Sequence, residues 1–273
     1  MAISLHTNYA ALLTQTNMAK SNNALGVSQQ RLGTGYRVNS AADDAAGLQI
    51  ATRLNAQGRG QAVAQRNAQD GISMLQTAEG ALNEYTNILL RMKDLAIQAN
   101  NGTNGSSELG ALDAEFQALQ SELVAIGTKT SYGKGVDLFG DKLANALTLQ
   151  IGATSADAES FAAIAGTADI AAGIAGEDLT ADAGAAMDAV DDLLDTVGTA
   201  RGELGANINR LNHTINNLAN MADNTNTAMG RIMDTDFAAE STKMTKQNML
   251  MQSSVAMLKQ TSQMGGLALS LLG

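Results

Sequence analysis

Apolar residues recur every seven positions at both ends of this chain, and that repeat constrains the fold more than any other feature. One stripe runs Phe237, Met244, Met251, Leu258, and a neighbouring one runs Leu250, Met257, Met264, Leu271, almost to the last residue. A weaker pair opens the chain: Leu5, Leu12, Ala19 and Met18, Leu25, Leu32. Sevens of this kind mean helices that pack along a seam. Chain ends usually fray, so a chain with its apolar stripes at both ends is expected to bury them against other chains.

Composition points the same way. The 273 residues include no Pro, no Cys and no Trp, and only 3% are aromatic. Rings normally supply much of a globular core, so here apolar area must come from aliphatic residues on thin helical seams. Proline usage averages about 5%. Its complete absence suits long helices, whose interiors exclude it, and a chain that folds without slow prolyl isomerisation. The net charge of -10 comes without a Lys or Arg cluster, so nucleic acid is not an expected partner. Without Cys there is no disulfide and no thiolate metal site. Met1-Ala2-Ile3-Ser4-Leu5-His6 lacks the basic and apolar regions of a cleaved signal. No apolar run approaches the ~20 residues of a membrane span.

Five helical stretches are predicted. The first covers residues 4–33 and is broken by Gly33-Thr34-Gly35-Tyr36. Ser40 with Asp43 resembles a capping box and announces a second segment, which becomes a long helix from about Ala56 to Ala99. Its seam is Ala68, Leu75, Leu82, Leu89, Ala96, with Ala64, Gly71, Ala78, Tyr85, Met92, Ala99 offset by three. Residues 100–107 read as a turn. A third helix follows, with Leu109, Leu112, Phe116, Leu119, Leu123 and Ile126 on its seam, antiparallel to the second. Leu147, Leu149 and Ile151 alternate with polar residues as in a strand, and Phe161 to Ile174 reads as a weak second strand or loop. A fourth helix opens near Asp178 and carries Val190, Val197, Leu204, Leu211, Leu218 beside Met187, Leu194, Ile208, Ile215. After a joint at 230–236, with Asp234 or Asp236 as cap, the fifth runs to the C-terminus.

The fold expected is therefore mainly α: a long antiparallel coiled-coil bundle with a small β-hairpin region and its N- and C-terminal helices paired. Residues 1–45 plus 232–273 would form one discontinuous domain. Residues 46–231 would form the other, with its β region at about 135–178.

Catalytic chemistry is not written here. The two histidines, His6 and His213, fall in different predicted layers. Asp182, Asp188, Asp191, Asp192 and Asp195 lack the fixed spacing of a Ca²⁺ loop and suit a helix N-terminus. The pair Asp43-Asp44 is explained by capping. No phosphate loop or nucleophile elbow is present, so neither an enzyme nor a cofactor is expected.

The joints carry a resemblance. Residues 32–47, Leu-Gly-Thr-Gly-Tyr-Arg-Val-Asn-Ser-Ala-Ala-Asp-Asp-Ala-Ala-Gly, resemble the N-terminal signature of bacterial flagellins. Residues 231–240, Arg-Ile-Met-Asp-Thr-Asp-Phe-Ala-Ala-Glu, and the tail ending Leu267-Ala268-Leu269-Ser270-Leu271-Leu272 resemble their C-terminal counterpart. The resemblance covers roughly 1–140 and 180–273. It implies a minimal flagellin of two core layers that leaves the cell unfolded through the flagellar type III apparatus. Such a subunit polymerises beneath a cap into an extracellular helical filament, in company with an export chaperone and junction proteins.

The seam residues Leu5, Leu12, Leu25, Leu32, Phe237, Met244, Leu250, Met251, Met257, Leu258, Met264 and Leu271 would then make the polymer contacts. By the same resemblance, Arg91, Leu95 and Glu115 match the surface that a vertebrate Toll-like receptor recognises, with Leu90 where Gln is common. The family tail often carries Val-Pro before its last leucines; Met264-Gly265-Gly266 stands there instead. The alternative is a hook–filament junction protein or a flagellin-like surface adhesin, although 140–178 is short for a binding domain.

Overall fold

The structure is a computed structural model, and it describes residues 8–133, 137–174 and 176–270, the side chains of 155 and 264–270 excepted. The chain divides into two compact units, Met1–Ala56 with Asn224–Gly273, and Gln57–Asp223. Helices α1 (Tyr9–Thr34) and α6 (Phe237–Ser270) belong to the first; α3 (Ser106–Lys129), β1 (Leu147–Gln150), β2 (Ala158–Phe161) and α4 (Thr167–Ala172) belong to the second. The long helices α2 (Ala45–Ala99) and α5 (Leu179–Met233) contribute to both. The division between units therefore falls inside α2 and α5 rather than at their ends.

In the second unit α2 runs antiparallel to α3, with Arg91 facing Glu115, and antiparallel to α5, with Lys93 facing Asp191. The heptads of the sequence become its core. Leu75, Leu82, Tyr85, Leu89 and Met92 of α2 are buried with Phe116 and Leu123 of α3 and Val190, Val197, Leu204 and Leu211 of α5. Each such side chain stabilises the unit by about 1.5–3 kcal/mol. The Tyr85 hydroxyl donates to the Ile170 carbonyl at 3.0 Å, and burial pushes its phenol pKa well up.

The antiparallel hairpin pairs Leu147 with Phe161 and Gln150 with Ala158. It packs where α2 has no side chain. A Cβ on Gly71 would lie 2.6 Å from Leu149, and one on Gly60 2.7 Å from Ala153. Asn67 Nδ2 donates to the Gln150 carbonyl at 2.8 Å. Arg210 lies over the Phe161 ring, 4.9 Å from its centroid, and pairs with Glu159.

Two expectations are corrected, and one is refined. α2 starts at Ala45, not near Ala56: Asp44 caps it, accepting from the Gly47 amide at 2.8 Å, and the Ser40/Asp43 pair makes a turn before it. The second strand is Ala158–Phe161, earlier than 161–174. Residues 167–172 form α4 instead, because Ile170 is buried against α3, where Gly127 lets the α4 backbone approach. The acids at the start of α5 divide into roles: Asp178 accepts from Thr180, and Asp182, at a non-helical kink, accepts from the Gly184 and Ala185 amides.

In the first unit α1 and α6 are antiparallel neighbours. Asn8 Nδ2 reaches the Thr261 carbonyl near one end, and Ser28 meets Glu240 near the other. Among the described residues no helix is long and apolar enough to cross a membrane.

Candidate assembly surface and its joint

The joint is built from backbone. Gly35 closes α1 in the left-handed region, φ 76°, where glycine carries no Cβ penalty, and its amide returns to the Arg31 carbonyl. The chain then lies extended beside 232–235. Tyr36 and Asp234 form an antiparallel bridge, the Thr235 amide donates to Gly35 at 2.9 Å, and the Arg37 amide donates to Met233 at 2.6 Å. Arg37 Nη2 adds a bond to the Ile232 carbonyl at 2.7 Å. Asp43 gathers the Ser40 hydroxyl and the Ser40 and Asn39 amides, which hold its carboxyl below the usual carboxylate range. Of the two cap candidates for α6, Asp236 fills the role, accepting from the Ala238 and Ala239 amides.

One turn further on lies a cluster that heptad reading did not find. Glu240, only 4% exposed, accepts from the Ser28 hydroxyl at 2.6 Å. Lys243 approaches to 3.3 Å and Arg31 to 3.9 Å. The Ser28 bond first, then the two cations, keep the Glu240 pKa below its ordinary value against the effect of burial. The available signal was a polar residue in a seam register: Ser28 is three residues after Leu25, and Glu240 three after Phe237.

Around α6, at about 100° per residue, Met244, Met251 and Leu258 fall on the arc of Glu240, and all three are half-buried. Leu250 and Met257 point away from that arc and are exposed, together with Met249. Phe237 is 57% exposed at the joint. On α1, Leu25 is buried, Leu32 half-buried and Leu12 exposed, with Tyr9 and Leu13 exposed beside it. Leu5, Leu271 and the side chain of Met264 lie outside the described residues. The first unit thus presents large apolar side chains to solvent along both helices. Large apolar side chains left exposed in this number suit burial against other molecules.

Two family models match: the bacterial flagellin N-terminal helical region over residues 5–143 and the bacterial flagellin C-terminal helical region over residues 187–272. The chain belongs to the bacterial flagellin family. It is 36% identical over 380 residues to flagellin A of Vibrio anguillarum and 35% identical over 383 residues to flagellin D of Vibrio cholerae serotype O1. Polar flagellin C of Vibrio parahaemolyticus serotype O3:K6 is 34% identical over 385 residues. Each alignment covers 100% of both chains, so these relatives hold residues with no counterpart among the 273 here. A crystal structure of Bacillus cereus flagellin aligns with TM-score 0.47 and 32% identity, covering 56% of this chain and 88% of that one. Flagellins are structural proteins of the extracellular flagellar filament, not enzymes.

The residues matched to the receptor surface do not all reach solvent. Arg91 donates to Glu115 through Nε and Nη2 at 3.0 and 2.7 Å, and both side chains are about half exposed. Leu95 is 1% exposed and packs in the core. It stands three residues after Met92 on the buried face of α2, so it offers a partner no surface. Leu90 and Ile97 are the exposed apolar residues beside Arg91.

Proposed function

We propose that this chain self-polymerises into the flagellar filament that drives swimming, after export in unfolded form by the flagellar type III system. An export chaperone would hold it before export, and cap and junction proteins would frame the growing polymer. The observation that carries the reading is the set of exposed large apolar side chains on α1 and α6, Leu12, Leu250, Met257 and Phe237 among the seam residues. Those side chains would be covered by neighbouring copies. The half-buried Met244, Met251, Leu258 and Leu32 and the buried Leu25 hold the pair that presents them. Seeding purified protein and viewing it by negative-stain electron microscopy tests the reading. Long uniform tubes are expected. Monomers that persist with seeds would refute self-assembly and favour a junction or adhesive role.

Recognition by a flagellin-sensing Toll-like receptor is proposed through Arg91 and Glu115, with Leu95 acting only as the packing beneath them. Signalling by monomer should fall when Arg91→Ala and Glu115→Ala are combined. Unaltered signalling would remove both residues from the contact.

A further inference from the structure

Oxidation chemistry in this chain has an unusual distribution. There is no Cys and no Trp, so the sulfur available to an oxidant belongs entirely to the 13 methionines. These differ widely in access. Met92 is 0% and Met74 7% exposed in the core of the second unit. Met249 and Met257 are 60% and 62% exposed, the most open of the described methionines. Both lie on α6, away from the arc of Glu240, and Met257 shares its side of the helix with Leu250. A thioether there is apolar and flexible, suited to an adaptable contact. Its sulfoxide is polar, and a polar group carried into an apolar contact without a hydrogen-bond partner is costly.

We propose that Met249 and Met257 are a reversible oxidation site through which a peroxide controls the assembly competence of the free subunit. This rests on the self-polymerisation proposed above. The sulfide lone pair attacks one peroxide oxygen; an S–O bond forms as the O–O bond breaks. Sulfur is oxidised by two electrons; the departing hydroxide takes up the proton that the new S–OH group loses, leaving the sulfoxide and one water. Size does not account for the block, because the added atom is small; polarity does. Reduction by a methionine sulfoxide reductase restores the thioether. In the filament the same sulfurs are covered, so oxidation acts on subunits before they are incorporated.

The test treats full-length monomer and filament with hydrogen peroxide and follows each methionine by peptide mass spectrometry. In monomer, Met249 and Met257 should oxidise at least about tenfold faster than Met92, and in filament that advantage should disappear. Oxidised monomer should elongate seeds at least about tenfold more slowly, and sulfoxide reductase should restore elongation. In the double variant Met249→Leu with Met257→Leu, which removes both thioethers at conserved volume, the ratio of elongation rates with and without peroxide should be near one, whatever the untreated rate. Equal oxidation of Met249, Met257 and Met92 in monomer overturns the site. So does undiminished elongation by oxidised wild type, or a Leu variant that peroxide still blocks. If untreated wild type fails to elongate seeds, the self-polymerisation reading falls instead, and the monomer rate ratio still decides whether the two sulfurs are the oxidation site.

Discussion

Removing the charge from Glu240 should loosen α1 and α6 selectively. The Ser28 hydroxyl bond to a carboxylate is worth about 1.5–3 kcal/mol. The approaches of Arg31 and Lys243 are partly exposed and add about 0–1 kcal/mol each. Glu240→Gln keeps an acceptor for Ser28 but loses the charge, so the expected cost is ~1–2 kcal/mol. That corresponds to a rise of about 5–30-fold in local opening. Glu240→Ala removes the acceptor as well and should cost more. The assay is amide hydrogen exchange corrected for intrinsic rates, comparing peptides from 24–32 and 238–250 with a reference peptide from 85–96 in the second unit.

The same carboxylate predicts a pH dependence. Its pKa is lowered in the folded chain, so its stabilisation is full above the ordinary glutamate value and disappears as pH falls through the lower folded one. Protection of α1 and α6 in wild type should therefore fall across that acid range, and Glu240→Gln should be nearly flat there. Equal protection in wild type and Glu240→Gln at neutral pH would refute the reasoning. So would an acid-induced loss that is unchanged in the variant.

Limited proteolysis of monomer should trim both termini first and leave a core near 45–230, whereas filament should resist; intact termini in digested monomer would count against assembly-dependent ordering. Gly127→Ala should destabilise by about 1–3 kcal/mol, since its Cβ would stand 2.5 Å from the Ile170 oxygen, while Gly110→Ala on the same helix meets open space and should stabilise by ~0.5–1 kcal/mol. Both are read from urea unfolding midpoints. Among the described residues Gln61 is buried with neither amide atom partnered, so Gln61→Leu should raise the midpoint by about 1–3 kcal/mol of stability; a lowered midpoint would mean the amide is satisfied. Arg91→Ala with Glu115→Ala should change stability by less than ~1 kcal/mol, so a larger loss would show the pair to be structural.

The long helices were legible because their seams repeat. Leu75, Leu82 and Leu89 on α2 and Val190, Val197, Leu204 and Leu211 on α5 are all buried, and periodicity needs no knowledge of what covers them. The β1 strand was legible for the same reason, with a period of two. Where partners decide, periodicity fails. α4 is six residues whose form depends on a glycine in another helix. Ser28 and Glu240 lie 212 residues apart, and neither alone announces the other. Leu95 is an apolar residue beside exposed Arg91, and only the helical phase fixed by packing tells that it faces inward.

The distribution of burial separates the two units and supports the proposed role of α1 and α6 in assembly. Among the described residues of α1 and α6, the fully buried side chains are Leu25, Ser28 and Glu240, and two of those are polar. Ordering a residue costs about 1–2 kcal/mol of backbone entropy, and helices draw most of their stability from a packed apolar face. So sparse a seam leaves helices of 26 and 34 residues only marginally ordered by themselves. The second unit has Phe116, Leu123, Leu204 and Leu211 to close its own core. The first has apolar side chains of equal size, but Leu12, Phe237, Leu250 and Met257 point outward. On the function proposed above, the burial the first unit lacks comes from further copies of the same chain, which cover those outward side chains on assembly.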